Sequence, residues 1–445
     1  MRIIPINHPL NATVRVPGSK SITNRALLIA SLANGTTKLK NALFSDDSKY
    51  FAQALQMLGF DVQLNESSQE MTVTGLGGKI PSNKAELFIG NAGTAARFLS
   101  AFLTLGNGEY VLDGDARMRE RPIGDLVDSL TQLGATITTI DDRPQTVKES
   151  AVSRQPSEIS LPIKIIANQL RGGKTQIAGD ISSQFLSALL MIAPYAKSPI
   201  EIELITELNS KPYVDMTIEV MKEFGVEVER KEYQFFNIPI TSYESRITYA
   251  IESDTSAASY FFAAPAICGG TVKVENISRK SLQGDIKFLE ILTQMGCVVG
   301  EKDNSLLVTC HSSLTGIDVD MRDIPDTAQT LAAVAPFADS PTRIRGIASA
   351  RVKETDRVSA TCTELQRLGV QVEEHEDGMT IYPCKDFQPA EIQTYNDHRM
   401  AMSFSLIGLR FDGVTIENPS CVSKTFPNYF EVLETLRVPS PTREG

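Results

Sequence analysis

The sequence predicts an α/β fold in two lobes, because one pattern recurs six times along the chain. Each copy opens with a polar residue at the start of an alanine-rich helix, continues into a short strand and then into a second helix. Openings are about 70 residues apart, with one gap of about 90 that a single insertion explains. A period this long and regular indicates a repeat architecture. The six openings are Ser21, Asn91, Ser182, Thr255, Asp326 and Asn396.

The elements of each repeat follow from local composition. The first helices are apolar nearly all round, as in residues 91–103, which is typical of interior helices. The strand-like runs after them alternate apolar and polar residues, so they should be half buried. These runs are residues 36–39, 109–112, 200–204, 271–274, 342–344 and 414–416.

The second helices are amphipathic and should cover the sheets from outside. Ile123, Leu126 and Leu130 share one face of such a helix. The sixth, residues 430–436, lies near the C-terminus, and residues 141–162 read as a polar surface insertion. The other five end on a glycine: Gly59, Gly134, Gly225, Gly296 and Gly369.

Six repeats divide into two groups of three. We expect a first lobe of residues 21–248 and a second lobe of residues 1–20 plus 249–445, with the boundary near residues 243–250. The extended segment before Ser19 would cross between the lobes. A cleft between two lobes is a common place for a ligand site.

Composition narrows the functional class. The chain has 445 residues, a net charge of −11 and a pI near 5.1, which argues against a general nucleic-acid or membrane binder. The N-terminus lacks the apolar core of a signal peptide. Six scattered cysteines without a Cys-x-x-Cys pair predict reduced thiols and a cytoplasmic location. Four histidines without ligand-like spacing make a metal site unexpected.

The repeated helix openings suggest anion binding. A helix N-terminus presents unpaired N–H groups and the positive end of the helix dipole. The alternative for any single copy is that Ser, Thr, Asp and Asn are good N-cap residues. Nearby basic clusters favour the anion-site interpretation.

Several polar clusters of the first half suit a phosphate or a polyol. Lys20, Ser21 and Arg25 follow a Pro-Gly turn, although the P-loop spacing is absent. The other clusters are Gly90 to Arg97, Asp115 to Pro122, Ser182 to Gln184, and Ser210 to Tyr213. Plain helix caps, tight helix packing and solvated charge runs are the alternatives.

The second half carries mixed-charge clusters. Asp326 opens a helix after Ile324-Pro325, and a helix cap is the alternative. The run from Arg351 to Arg357 alternates charges, for which a surface ladder of ion pairs is the alternative. Asn396 to Arg399 and Ser423 to Pro427 complete the set.

These blocks resemble the 5-enolpyruvylshikimate-3-phosphate (EPSP) synthase family. The matching segments are PGSKSITNRALL, GNAGTAARF, RMRERPIGDL, SSQFLSALLM, SKPYVDMT, SLQGDI, IPDTAQT, RVKETDR, YNDHRMAM and SKTFPNYFE. The resemblance implies two similar lobes joined by a hinge, each with three βαβαββ-type repeats of buried helices and outer sheets. It also implies that the lobes close on the substrates.

The family transfers the enolpyruvyl group of phosphoenolpyruvate to the 5-hydroxyl of shikimate 3-phosphate by addition and elimination. The resemblance therefore implies a cytoplasmic transferase of aromatic amino acid biosynthesis, from a family that is the target of glyphosate. We expect a monomer without metal or cofactor, and without nucleic-acid or membrane partners. Two departures stand out: Ala96-Arg97-Phe98 replaces the usual Met-Arg-Pro, and Ser349 replaces an Asn that contacts shikimate phosphate.

Matching positions carry the family's site residues. The resemblance assigns shikimate 3-phosphate to Lys20, Ser21, Arg25, Ser182, Ser183, Gln184, Ser210, Asp326, Ser349 and Lys353. It assigns phosphoenolpyruvate to Lys20, Gly93, Arg121, Gln184, Arg357, Arg399 and Lys424. For catalysis we expect Glu354 as the acid near C3, Asp326 as the base near the 5-hydroxyl, and Lys20 as a possible participant.

Two other functions remain open from the sequence. The sister enzyme acts on UDP-N-acetylglucosamine and carries a reactive Cys, or an Asp in its place, in a mobile loop of the first half. Here no cysteine precedes Cys268, and the corresponding Arg117 to Arg121 run is basic. A non-catalytic repeat scaffold would have polar helix openings without clustered Lys, Arg, Asp and Glu.

Overall fold

The structure is a computed structural model that describes residues 1–140 and 159–438. Its strands, numbered in chain order, are β1 (Leu10–Arg15), β2 (Asn34–Lys40), β3 (Asp61–Asn65), β4 (Glu70–Leu76), β5 (Lys84–Phe88), β6 (Asn107–Asp113), β7 (Thr136–Thr139), β8 (Ile163–Asn168), β9 (Gly173–Ile177), β10 (Ile200–Leu204), β11 (Glu229–Lys231), β12 (Phe235–Ile238), β13 (Thr248–Ala250), β14 (Gly270–Glu275), β15 (Val298–Lys302), β16 (Ser305–Cys310), β17 (Asp318–Asp320), β18 (Thr342–Arg345), β19 (Val372–His375), β20 (Gly378–Ile381), β21 (Ala390–Ile392) and β22 (Val414–Ile416).

Helices alternate with these strands. The α-helices are α1 (Lys20–Leu32), α2 (Asp46–Met57), α3 (Gly93–Leu103), α4 (Gly124–Gln132), α5 (Ser183–Ile192), α6 (Lys211–Glu223), α7 (Thr255–Cys268), α8 (Phe288–Gln294), α9 (Ala328–Val334), α10 (Arg357–Arg367), α11 (His398–Gly408) and α12 (Tyr429–Glu434). Short 3₁₀ turns are Ala193–Tyr195, Gly284–Lys287, Pro325–Thr327, Ala335–Phe337, Ala348–Val352, Pro419–Lys424 and Thr435–Arg437.

The chain forms two compact units. The first unit is Lys20–Ile251, and the second unit is Met1–Ser19 with Glu252–Gly445. Lys20 and residues 249–251 thus lie in the first unit, whereas the sequence analysis placed them in the second lobe. The predicted α/β class is confirmed.

The first five repeats are built as strand, helix, strand, helix, strand, strand. In β5-β6-β8-β7, for example, β5 pairs with β6 in parallel, and the other two pairings are antiparallel. The predicted strand-like runs all lie within observed strands. The equivalent sheets of the described ranges are β13-β2-β4-β3, β9-β10-β12-β11, β1-β14-β16-β15 and β17-β18-β20-β19.

The sixth repeat departs from this order. Its sheet contains only β21 and β22 in the described ranges, joined in parallel. The N-terminus lies beside β22, where Arg2 forms an antiparallel bridge with Thr415 and the Ile3 amide donates to the Val414 carbonyl at 2.9 Å. The chain start thus contributes to the last repeat.

In two repeats the first strand of the sheet is not contributed by the chain segment directly before the repeat. β1, from the N-terminus, is the first strand of the fourth repeat and pairs with β14. β13, which follows the third repeat, is the first strand of the first repeat and pairs with β2. β1 is separated from the rest of the second unit by the whole first unit, whereas β13 lies within the continuous range of the first unit.

The inner helices form the core of each unit. α3 contacts α1 and α5 in the first unit, and α7, α9 and α11 contact one another in the second. Nearly every residue of α3, α7 and α11 is buried, as their all-round apolar composition predicts. No helix in the described ranges has the length and apolarity needed to cross a bilayer.

The glycine that ends each second helix has a backbone role. Gly59 has a φ of +92°, and the residue after it, Phe60, donates to the Leu55 carbonyl at 3.0 Å. This is a Schellman C-cap, in which a left-handed residue turns the chain out of the helix. Gly134, Gly225, Gly296 and Gly369 also have positive φ and are followed by the same type of hydrogen bond.

The predicted helix openings are only partly right. Ser182 caps α5, since its hydroxyl accepts from the Gln184 amide at 3.3 Å. Thr255 is the first residue of α7, as predicted, and Asp254 is the cap before it. The prediction at Asn396 is wrong by one residue, because the cap of α11 is Asp397.

The other three openings also differ from prediction. Ser21 lies inside α1, Asn91 lies two residues before α3, and Asp326 lies in a 3₁₀ turn before α9. Of the predicted insertion at 141–162, all but residues 159–162 fall outside the described residues.

Replacing Gly296 by alanine should destabilise the protein through the backbone alone. An added Cβ would have no neighbour closer than 3.6 Å, but φ is +111° there. We expect Gly296→Ala to cost about 1 to 2 kcal/mol and to lower Tm. Gly300→Ala, in β15 with its nearest neighbour at 4.0 Å, is the matched control. Equal Tm values for the two variants would contradict the left-handed requirement.

Candidate functional site

In the first unit, Lys20 and Asp47 form a largely buried ion pair where α1 begins. Lys20 Nζ lies 3.6 Å from Asp47 Oδ2. Pro17 and Gly18 precede the helix, but Gly18 forms an antiparallel bridge with Ser253 where the sequence analysis predicted a turn. Asp47, in the first turn of α2, is a neighbour that the sequence analysis did not identify.

Arg25 is buried one turn further along α1. Its Nε donates to Thr217 Oγ1 at 2.7 Å, and its Nη1 donates to the Ser21 carbonyl at 2.9 Å. Ser187 and the Tyr213 carbonyl accept further bonds at 3.3 and 3.2 Å. All these acceptors are neutral, and burial lowers the pKa of Arg25 to about 10, partly opposed by Tyr213. A buried cation held by neutral groups favours a nearby anion.

The starts of α3 and α5 meet through Gln184. Its Nε2 donates to Thr94 Oγ1 at 3.3 Å. Ser183, beside it, is buried. The structure thus brings the predicted Ser182 to Gln184 cluster next to the glycine-rich start of α3.

Arg121 is buried against that same helix start. Its Nη1 donates to Asn91 Oδ1 at 3.0 Å. A Cβ on Gly93 would come within 2.5 Å of Arg121 Nη2. Gly93 therefore gives the guanidinium room to approach the backbone, a steric requirement for the glycine in this block.

Ser210 adopts the left-handed conformation, with φ +58° and ψ +44°, directly before α6. This region is uncommon for a residue other than glycine and is often found at functional sites. The serine is buried, and its carbonyl accepts from the Tyr213 amide at 3.0 Å. The Tyr213 carbonyl in turn accepts from Arg25, so Ser210 and Arg25 belong to one neighbourhood.

In the second unit, one arginine connects three carboxylates. Arg357 Nη1 donates to Asp326 Oδ1 at 3.0 Å, and Nη2 donates to Glu354 Oε2 at 2.8 Å. Its Nε donates to Asp397 Oδ2 at 2.7 Å. The side chain is 3% exposed. Burial acts to lower the pKa of Arg357, but the three carboxylates outweigh it and raise the pKa above the ordinary arginine value.

Further cations surround Asp326 and Glu354. Arg399 Nη2 donates to Asp326 Oδ2 at 2.8 Å, and Lys353 Nζ lies 3.9 Å from Oδ1. Lys424 Nζ lies 3.8 Å from Glu354 Oε1. We call Asp326, Lys353, Glu354, Arg357, Asp397, Arg399 and Lys424 the charged network.

Asp397 is the member of the charged network that the sequence analysis missed. Its side chain is fully buried, and Oδ1 accepts from the Arg399 amide at 2.9 Å, which caps α11. The sequence does show an Asp, a good cap residue, two positions before Arg399 at a predicted helix start. The sequence analysis gave the helix start to the neighbouring Asn396 instead, whose φ is +55°.

The segment from Arg351 to Arg357 is neither one helix nor a surface ladder. A 3₁₀ turn ends at Val352, and α10 begins only at Arg357, capped by Asp356. Lys353 and Glu354 lie in the irregular segment between them. Ser349 is half buried within the 3₁₀ turn.

Asp285 is a second buried carboxyl associated with this region. It lies in the Gly284–Lys287 turn, and the Ser256 hydroxyl of α7 donates to it. Burial, followed by the charge of Asp326, raises the pKa of Asp285 to about 6, whereas Ser256 and Arg399 act in the opposite direction. The sequence analysis quoted the SLQGDI block without singling out this residue.

No group of three His, Cys, Asp or Glu side chains that suits a metal ion occurs among residues 1–140 and 159–438. The donors of both units are instead guanidinium, ammonium, hydroxyl and amide groups, which bind carboxylates and phosphates.

The chain is similar to known proteins over nearly its whole length. The family model described as EPSP synthase (3-phosphoshikimate 1-carboxyvinyltransferase) matches residues 4–433. The 3-phosphoshikimate 1-carboxyvinyltransferase of Trichormus variabilis is 48% identical over 425 residues, or 96% of each chain. That of Sulfurovum sp. is 48% identical over 434 residues, covering 97% of this chain and 98% of the relative. EPSP synthase from Acinetobacter baumannii superposes with a TM-score of 0.78 at 25% identity, covering 97% of each chain.

Replacing Asp285 by asparagine should stabilise the protein in a pH-dependent way. Its folded pKa, about 6, lies above the ordinary value of an aspartic acid side chain, 3.8. The stability it contributes is therefore complete below pH ~4 and is lost as the pH rises through ~6. Asp285→Asn stays neutral, so its free energy of unfolding should rise relative to the parent by on the order of 1 kcal/mol between pH 5 and pH 7.5.

Thermal unfolding at the two pH values measures this difference. Asp339→Asn, at an exposed position, is the control. If the Tm difference between Asp285→Asn and the parent were the same at both pH values, Asp285 would not titrate in this window.

Proposed function

The chain belongs to the EPSP synthase family, and from that premise we propose which of its residues carry the reaction. The protein transfers the enolpyruvyl group of phosphoenolpyruvate to the 5-hydroxyl of shikimate 3-phosphate, in the shikimate pathway of aromatic amino acid biosynthesis. The matching family and the relatives described above do not favour UDP-N-acetylglucosamine as the acceptor.

The reaction needs three proton transfers, and at C2 of phosphoenolpyruvate one C–O bond forms and another breaks. An acid protonates C3, and the 5-hydroxyl oxygen attacks C2 as a base takes its proton. The resulting intermediate carries both oxygens on C2. C3 then loses a proton, the C2–O bond to phosphate breaks, and inorganic phosphate leaves. The groups required are an acid and base near C3, and a base near the 5-hydroxyl.

The observation that carries the assignment is the charged network. Each substrate bears a carboxylate and a phosphate, about three negative charges at neutral pH. Arg357, Arg399 and Lys424 are buried cations next to the two candidate acid–base carboxylates. Guanidinium groups bind carboxylate and phosphate through paired hydrogen bonds.

Phosphoenolpyruvate would be bound by seven residues. The buried Arg121 beside Gly93, and Gln184 close to the same helix start, support the part contributed by the first unit. The proposed residues are Lys20, Gly93, Arg121, Gln184, Arg357, Arg399 and Lys424.

Shikimate 3-phosphate would be bound by hydroxyl and cationic groups. The neutral partners of Arg25 leave its charge for an anion, and two serines stand at the start of α5. Lys353 lies beside Asp326 in the second unit. The proposed residues are Lys20, Ser21, Arg25, Ser182, Ser183, Gln184, Ser210, Asp326, Ser349 and Lys353.

Asp326 would accept the proton of the 5-hydroxyl. Its side chain is 18% exposed, more than that of any ion-paired partner except Lys353, so one edge remains open to a substrate. Arg357 and Arg399 hold its two oxygens in fixed directions. They favour the ionised form, which is the form that a base requires.

Glu354 would exchange the proton at C3. Arg357 and Lys424 favour its carboxylate form, which suits removal of the C3 proton during elimination. When phosphoenolpyruvate binds these two cations, its negative charge weakens their effect and favours the protonated form needed for addition. Lys20, at the start of α1, is the other proposed participant in proton transfer.

We propose that the protein is a monomer and that it is located in the cytoplasm. Cys268, Cys297, Cys310, Cys362, Cys384 and Cys421 are free thiols. Free thiols are typical of a reducing compartment. Analytical ultracentrifugation tests the monomer, and a sedimentation coefficient that corresponds to a dimer would contradict it.

Phosphate release tests the acceptor directly. With phosphoenolpyruvate present, we expect release with shikimate 3-phosphate and none above background with UDP-N-acetylglucosamine. Mass spectrometry of the product should show the added enolpyruvyl group. Phosphate release without an enolpyruvyl product would indicate hydrolysis instead of transfer.

Removing either acid–base carboxylate should reduce turnover strongly. We expect Asp326→Ala and Glu354→Ala each to lower kcat by about a hundredfold or more, the usual scale for acid–base residues. Asp318→Ala is a matched control, because Asp318 pairs with Arg345 at 2.6 Å on the outer sheet of the same repeat. Near-normal kcat in a folded Asp326 or Glu354 variant would exclude the role proposed for that residue.

A further inference from the structure

Arg351 joins the two ends of the segment that carries Lys353 and Glu354. It lies in the 3₁₀ turn before that segment, and its Nη1 donates to Asp356 Oδ2 at 2.8 Å. Asp356 is the cap of α10, since its other oxygen accepts from the amides of Val358 and Ser359. The ion pair thus closes a short loop of residues 351–356.

The same guanidinium attaches this loop to a neighbouring hairpin. Nη2 donates to the His375 carbonyl at 2.7 Å, and Nε donates to the Glu376 carbonyl at 2.9 Å. Both carbonyls lie where β19 turns into β20. Nη1 also lies 2.8 Å from Glu374 Oε1. Every nitrogen of the guanidinium therefore has a partner in a different direction.

The hairpin turn is itself fixed to the backbone just after β18, ahead of the loop. The Ile347 amide donates to the Asp377 carbonyl at 2.8 Å, and the Gly346 amide donates to Asp377 Oδ2 at 3.1 Å. Arg351 consequently connects the loop to a rigid support. An exposed ion pair contributes little to stability, but two of these bonds go to backbone carbonyls.

We propose that Arg351 is a positioning residue, which holds residues 353–355 between the hairpin turn and α10 and so directs Lys353 and Glu354 toward the reacting groups. The inference rests on the roles proposed above for those two residues. Arg351 need not touch either substrate. Its planar fork is essential, because the guanidinium reaches these acceptors from three separate nitrogens, whereas a lysine ammonium donates from a single nitrogen.

Variants at Arg351 should therefore lose turnover more than stability. Misplacement of a catalytic group by about 1 Å can cost up to about a hundredfold in rate. We expect Arg351→Ala to lower kcat by about tenfold to a hundredfold, and Arg351→Lys to lower it nearly as much although the charge is kept. KM for shikimate 3-phosphate should rise through Lys353, whereas KM for phosphoenolpyruvate should change less.

The control is Arg345→Ala. Arg345 also forms an ion pair, with Asp318, and lies in the sheet that contains β19 and β20. We propose no role for it in holding the loop. Its kcat should stay within twofold of normal. Thermal unfolding of each variant identifies any that fail to fold, and Arg351→Lys keeps the test valid if Arg351→Ala is one of them.

A double-mutant cycle separates positioning from general structural damage. If Arg351 acts through Glu354, then adding Arg351→Lys to Glu354→Ala should lower kcat by less than twofold further, because the group being positioned is already absent. Losses that multiply would overturn the inference. So would a kcat within twofold of normal for Arg351→Lys.

The cycle also distinguishes this inference from the proposed catalytic role. A large loss in Glu354→Ala with normal Arg351 variants would leave the role of Glu354 intact and reject positioning by Arg351. A normal rate in Glu354→Ala would instead reject the role of Glu354 and, with it, the action of Arg351 through that residue.

Discussion

The second unit depends on the guanidinium of Arg357, which holds three carboxylates from three separate stretches of chain. Asp326 comes from the fifth repeat, Glu354 from an irregular loop, and Asp397 from the sixth repeat. A buried ion pair contributes little net stability, because desolvation offsets the attraction. Its value here is geometric: one planar group fixes the relative directions of the proposed base and the proposed acid. Removal of the arginine would leave Glu354, Asp397 and the partly exposed Asp326 without the cation that all three share.

The helix N-termini of the two units differ in whether an aspartate side chain caps them, and this affects how each unit can bind an anion. In the second unit, Asp254 and Asp397 cap α7 and α11, so carboxylates already occupy amides at those helix starts. Cationic side chains remain to bind an anionic substrate. In the first unit, α3 follows Ala92, which has no capping side chain, and α5 follows Ser182. Backbone amides and hydroxyls can therefore donate to an anion in that unit, alongside the proposed cations Lys20, Arg25 and Arg121.

The sequence determined the regular parts of this fold more securely than the contacts of its site. Repeated strands and glycine C-caps were predictable because alternation and left-handed glycines are local signals. Helix starts were less certain, since adjacent polar residues such as Asp254 and Thr255 are both good caps. The partnership of Arg357 with Asp397 joins residues 40 positions apart, and no local rule reveals it. Arg351 was read within an alternating charge run, but its hydrogen bonds to backbone carbonyls depend on a hairpin more than 20 residues away.

The pairing of β1 with β14 affects the order in which the chain can fold during its synthesis. Leu10 pairs with Gly270, so the first strand to leave the ribosome must wait for a partner 260 residues later. At about 5 to 20 residues per second, that wait is roughly 15 to 50 s. The first unit needs only Lys20–Ile251 and is fully translated during this interval. A nascent chain would thus carry a completed α/β unit preceded by an unpaired strand with three apolar residues, Leu10, Ala12 and Val14, exposed until the second unit forms.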